Sequence, residues 1–324
     1  MNEREYFRRV KFSDELKETI RPIFEFFEPF VDNEKENHYS DNNEIEHINK
    51  DDYDKKQIEE YYEMLRTKEI LESVNRLKKE VLKIRKNPII RKLVNSLHTN
   101  IFQFMTESRY RTKIKWKKLL VSYKNATRVF FQDPKILQRL QSDPDESPYN
   151  LILAIGLVNI EEDNIKVKDE IDEIDEIYNK NVPKNDVVFP VYGCSTNILK
   201  ALLDSFPKIK ILHLAGHTKK RKNGEVCLSL VDSILTFNKF SHWINKHNFQ
   251  FSFYNCCSSD QFVTNTTNIN SKKIILHRDE VNSMVAFNYS KNIYLSLSAG
   301  KTYDEAWNIA KINTNEKPLK YVFK

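Results

Sequence analysis

Glycine is scarce in this chain, with 5 residues in 324. Gly193 and Gly224 are isolated turn candidates, and neither a GxGxxG nor a GxxxxGK(S/T) pattern occurs. Nucleotide binding on a glycine-rich phosphate loop therefore has no motif behind it. No apolar stretch of about 18 residues exists, so no membrane-spanning helix is expected. The opening Met1-Asn-Glu-Arg-Glu lacks the apolar run of a signal peptide. Four cysteines, two of them adjacent, do not make the spaced framework of a disulfide-stapled secreted domain. A reducing, cytoplasmic setting is expected, where a free thiol can work.

What the chain does have is charge, unevenly placed. Hydrophobic residues make up 40% and charged residues 30%, enough for globular cores with a heavily charged surface. The net charge of +6 hides two opposite regions. Residues 24–56 are acidic and carry Asn-Asn, Ser-Asp and Asp-Asp pairs, which predicts a mobile segment. From Arg76 to Arg128, 16 Lys or Arg stand against Glu80 and Glu107, a local charge of +14. That surface suits an anionic partner, an acidic protein or a ribonucleoprotein, docking over residues 53–130. Direct nucleic-acid contact fits the same charge, although no nucleic-acid module motif accompanies it. The plainer account is a solvated helical surface.

Periodicity divides the chain into a helical half and an α/β half. Leu71, Val74, Leu77, Val81 and Ile84 form an apolar stripe in a long helix expected over 53–86, which Pro88 interrupts. Leu93 to Met105 and Ile114 to Tyr123 carry the same spacing into two more helices. Leu151–Val158 is a buried run that periodicity assigns to neither helix nor strand, and the isoleucines of 170–177 fit a charged helix. A helical region over 1–165 and a second domain over 180–324 are expected, with the boundary between 160 and 185. Beyond it, strands over 187–192, 209–214, 226–231, 249–254 and 274–276 alternate with helices. Pro190 disfavours a central position for the first of these, Thr196 is a candidate helix N-cap, and Asn223-Gly224 marks a hairpin turn. Thr302-Tyr-Asp-Glu305 is a capping box for a last helix, and the end of the chain reads as mostly helical. The fold class is α/β, a mostly parallel sheet flanked by helices, preceded by a mainly α-helical region.

Two strand ends carry the chemistry. His213-Leu-Ala-Gly-His217 and Tyr254-Asn-Cys-Cys257-Ser-Ser each close an apolar run and release a polar loop. An imidazole and a thiol at the C-terminal ends of neighbouring parallel strands are what thiol-dependent acyl transfer needs. Cys257 is the candidate nucleophile and His217 its base, with backbone N–H groups near Gly216 and Cys257 as oxyanion donors. Successive strand side chains alternate in face, so only one of Cys256 and Cys257 can meet the histidine loop, and a sheet covered on both sides leaves that choice open. His213, inside an apolar run, reads as a core histidine. A zinc site of Cys194, Cys227, His217 and Cys257 is the chemical rival, but it lacks paired ligands at short spacing, so neither metal nor other cofactor is expected.

These residues resemble the CHAT-domain proteases, relatives of caspases and separases. The resemblance implies that His217, the second histidine of a His-x-x-Gly-His motif, is catalytic. It also implies that Cys257 is the nucleophile and that Cys256 fills a small-residue position. Ala286-Phe-x-x-Ser290, Ile293-Tyr294 and Leu297-Ser-Ala-Gly-Lys-Thr-Tyr-Asp-Glu-Ala306 are similar to the family's closing elements, so that the likeness runs over about residues 185–315. Thr218 and Asp260 replace glycines usual in the family, and Thr218 lies where the backbone supports the oxyanion. The resemblance implies a caspase-like fold and cleavage of a specific protein target. It further implies activation by a partner, in an antiviral defence system of the kind that includes CRISPR-associated complexes. Asp260 and Asp279, beyond the proposed strand ends, would favour Lys or Arg at P1 if either points into the substrate pocket. The alternative is a catalytically silent caspase-like scaffold.

Overall fold

The computed structural model describes residues 21–23, 25–27, 50–65, 70, 72–76, 79, 88–131, 150–157, 165–181, 186–206, 208–231, 233–264, 266–314 and 319–323. Most of the acidic segment 24–56, and much of the helix expected over 53–86, lie outside the described residues. The chain divides into two compact units, Met1–Pro134 and Lys135–Lys324. No helix among the described residues is long and apolar enough to cross a membrane.

The described part of the first unit is helical: α1 (Lys50–Leu65), α2 (Pro88–Thr106) and α3 (Lys113–Phe131). Pro88 opens α2, a first-turn position where its missing N–H costs nothing. The stripe Leu93, Val94, Leu97, Ile101 and Phe104 is buried, as are Trp116, Leu119, Leu120 and Tyr123 of α3. Trp116 anchors this core, stacked on Tyr61 at 4.5 Å and tilted against Phe104 at 5.3 Å.

The second unit is built on a six-stranded sheet in the order β2-β1-β3-β7-β8-β9. Its strands are β1 (Asn150–Leu157), β2 (Asp186–Tyr192), β3 (Ile209–Gly216), β7 (Phe249–Cys256), β8 (Ser271–His277) and β9 (Leu319–Phe323). The first five are parallel, and β9 joins β8 antiparallel. Residues 151–157 are all buried, the mark of a parallel strand covered on both faces. Pro190 sits in β2, an edge strand, where a missing ladder donor is tolerated. A small antiparallel sheet, β4 (Thr218–Lys220), β5 (Val226–Ser229) and β6 (Ile234–Leu235), grows from the end of β3. The Asn223-Gly224 turn closes its first hairpin, with Gly224 at φ +86°.

Helices cover both faces of the main sheet. On one lie α4 (Ile165–Asn181), α8 (Ser283–Ser298) and α9 (Tyr303–Thr314), whose Ile171, Ile174, Tyr289, Tyr294 and Ala310 pack on Phe251, Phe253 and Ile275. On the other lie α5 (Thr196–Ser205) and α6 (Phe237–Ile244), with Phe240 edge-on to Tyr254 at 6.2 Å. The capping box of α9 forms reciprocally: Thr302 N–H donates to Glu305 Oε2 at 2.8 Å and Glu305 N–H to Thr302 Oγ1 at 3.2 Å.

Three expectations need correction. The unit boundary falls before residue 150, because Leu151–Leu157 pairs with both β2 and β3 and belongs to the sheet. The N-cap of α5 is Ser195, whose side chain accepts from Ile198 N–H, whereas Thr196 turns its hydroxyl to Ser233 at 2.7 Å. The mostly helical end expected beyond Val281 is present as α8 and α9, but a strand follows it, since Leu319–Phe323 pairs with β8.

Candidate active site

β3 and β7 are neighbours in register, Ala215 opposite Asn255 and Gly216 opposite Cys256. His217 and Cys257 are the next residues on each strand, one step beyond the last pair. Alternation along β7 puts Cys257 on the face of Asn255, the face to which His213 of β3 also points. On that face His213 reaches Glu170 of α4 and the Tyr294 ring, and Asn255 reaches Glu170 and Ala286 of α8. Cys257 keeps the parity: its Sγ donates to Val281 O at 3.8 Å, in the segment that leads into α8.

The adjacent cysteines have different surroundings. Cys256 is fully buried and directs its thiol to Leu214 O at 3.6 Å. Burial pushes that thiol well above its ordinary pKa, and the neighbouring Cys257 adds to the rise. Cys257 and His217 are half-buried, open enough to meet a substrate. All four cysteines are free thiols, with Cys194 and Cys227 buried and the Cys227 thiol pushed up by burial. Among the described residues no group of three or more His, Cys, Asp or Glu is arranged to hold a metal ion.

Backbone geometry sharpens both strand exits. Gly216 has φ +153°, and a Cβ there would stand 2.4 Å from Leu157 O, so only glycine fits before His217. The His217 carbonyl accepts from Ser229 N–H at 3.0 Å, which ties the loop to β5. After Cys257 the chain turns through Ser258 at φ +48°, the only non-glycine residue with positive φ among the described residues. Ser258 N–H donates to Asp279 O at 2.9 Å. Ser259, which starts the single turn α7 (Ser259–Phe262), donates through Oγ to Tyr254 O and accepts from His277 N–H, both at 2.8 Å. Thr218 Oγ1 donates to Cys257 O at 2.7 Å, so this hydroxyl joins the two strand-end loops directly.

The two aspartates differ. Asp260 is half-buried, with Oδ1 shielded from solvent and without a hydrogen-bond partner. Asp279 is exposed and meets the site through its backbone carbonyl. Sequence reasoning missed Glu170, Asn255 and His277, which form a buried polar chain under the strand ends. A signal for Glu170 exists: it lies one turn before Ile174 on the apolar stripe of α4, an acidic residue where a hydrophobic one is expected. No protein-family model and no curated protein matches the chain.

Proposed function

We propose that the second unit is a cysteine endopeptidase of the CHAT, caspase-like kind, acting through a Cys257–His217 dyad. The observation that supports this reading is the register of β3 and β7, which pairs Gly216 with Cys256, the residues just before His217 and Cys257. His217 takes the Cys257 proton, and the thiolate attacks the scissile carbonyl to give a tetrahedral oxyanion. Collapse of that intermediate breaks the C–N bond as His217 protonates the departing amine. Water, deprotonated by His217, then hydrolyses the thioester and restores the thiol. Asp260, with its shielded, unpartnered oxygen, is the better of the two aspartates for drawing Lys or Arg to P1.

The basic helices of the first unit would dock an activating protein or ribonucleoprotein over residues 53–130, as in an antiviral defence system. One observation favours the alternative of a silent scaffold: at rest the Cys257 thiol faces Val281 O and the adjacent Ser258 N–H is taken by Asp279 O. The test is cleavage of the proteins encoded beside this one, with and without each candidate activator. Cys257→Ala should abolish cleavage while Cys256→Ala retains most of it. Equal loss from both, or an unaffected Cys257→Ala protein, would exclude the dyad.

A further inference from the structure

Beneath the strand ends lies a chain of buried polar groups that the proposed reaction does not use: Glu170 of α4, His213 of β3, Asn255 of β7 and His277 of β8. Asn255 is at its centre. Its Nδ2 donates to Glu170 Oε1 at 2.6 Å and to Ala286 O at 3.0 Å, and its Oδ1 is hydrogen-bonded to His277 Nε2. Because Oδ1 only accepts, His277 Nε2 carries the proton, and burial keeps that ring neutral by pushing its pKa down to about 3. His213 Nε2 lies 2.9 Å from the same Glu170 oxygen, off the angle of a hydrogen bond. Both amide hydrogens and the amide oxygen of Asn255 are thus engaged, by groups from three different elements.

Burying such a set is no cheaper than burying hydrocarbon of the same volume, so its return is one fixed geometry rather than stability. The geometry it fixes is local to the thiol. Asn255 shares its strand face with Cys257, two residues on, and Ala286 lies in the first turn of the helix that follows the Val281 contact.

We propose that Asn255, oriented by Glu170 and His277, is a positioning residue that sets the exit of β7 and the start of α8 so that Cys257 stands level with His217. This rests on the dyad reading. Asn255→Asp sets a carboxylate against the Glu170 carboxylate and the Ala286 carbonyl with no N–H to offer either. His277→Phe removes the ring donor, whereas His277→Gln keeps an N–H near the same place.

The experiment follows iodoacetamide labelling of Cys257 in the full chain, located by mass spectrometry, between about pH 5.5 and 9.5. Melting temperature is measured beside it. His217→Ala first tests the dyad: its Cys257 should label more slowly at neutral pH than in the unmodified protein. Asn255→Asp and His277→Phe should then move the profile toward that of His217→Ala, slowing labelling at neutral pH by about tenfold. His277→Gln should stay within about twofold. Where Asn255→Asp does not fold, Asn255→Ser, too short to span all three partners, is held to the same outcomes. Lower melting temperatures with an unmoved labelling profile, or His277→Gln no better than His277→Phe, would overturn the proposal. If His217→Ala matches the unmodified protein, the dyad itself fails and this inference falls with it. That result is distinct from a working dyad that ignores Asn255.

Discussion

Gly216 has no room for even one methyl group, and the residue after it is the proposed base. A Cβ at 216 would press on Leu157 O and Leu157 Cβ at 2.4 and 2.6 Å, both within the sheet and unable to give way cheaply. Gly216→Ala should therefore lose about 2–4 kcal/mol of stability from strain and overpacking, read by urea unfolding. It should also slow Cys257 labelling, because relief of the clash moves His217. His277 predicts an acid-sensitive fold. Its folded pKa, about 3, lies below the ordinary value of 6.5, so the unfolded chain takes up the proton first as pH falls. Stability should decline from near pH 6.5 toward pH 3, by at most about 1.4 kcal/mol per unit from this ring. His277→Gln should flatten that limb in denaturation series at stepped pH, and an unchanged slope would show that other groups set it.

At the scale of elements, what the sequence disclosed followed from how local each signal was. Strands β2, β3, β7 and β8 announce themselves because their apolar runs end in polar loops, and Pro190 forecast an edge position that β2 indeed takes. The box Thr302–Glu305 was legible because capping is settled within four residues. The buried run at 151–157 could not be typed, since a strand covered on both faces has no period, and it carried the unit boundary with it. β9 escaped because its antiparallel place depends on β8, some 40 residues earlier. The site divides in the same way. His217 and Cys257 are visible as strand-end residues, but that they share a level depends on β3 and β7 pairing Gly216 with Cys256, a non-local fact. Asn255 and Glu170 are 85 residues apart in the chain and meet only after folding.

For the whole molecule, the decisive question is where the second unit begins. β1 lies between β2 and β3, so a fragment starting near residue 180 would leave a gap in the sheet. Five of the lost side chains, Leu151, Ile152, Leu153, Ile155 and Leu157, are buried. At about 1.5–3 kcal/mol each their loss rivals the entire net stability of a domain, about 5–15 kcal/mol. A fragment of residues 135–324 should unfold cooperatively in calorimetry, while 180–324 should give no cooperative transition. A folded 180–324 fragment would show that β1 is dispensable. Only the longer fragment is suited to asking whether the basic first unit governs activity.

The two adjacent cysteines point to opposite faces, Cys256 into the sheet's interior toward Leu214 and Cys257 toward Val281. A disulfide needs its Cβ atoms about 3.5–4.5 Å apart with converging vectors, which neighbours on a strand do not provide. Cys227 and Cys194 are buried as well. Under peroxide, a sulfenic acid at Cys257 therefore has no internal thiol to rescue it, and oxidation should run on to the sulfinic and sulfonic acids, whose mass increments are read on the Cys257 peptide, apart from the sulfoxides of exposed Met64 and Met284. Dithiothreitol should restore the thiol only after brief exposure. The thiol chemistry of such a protein has a lifetime in oxidising surroundings set by its single accessible thiol, and it survives them only where small thiols are at hand to cap it.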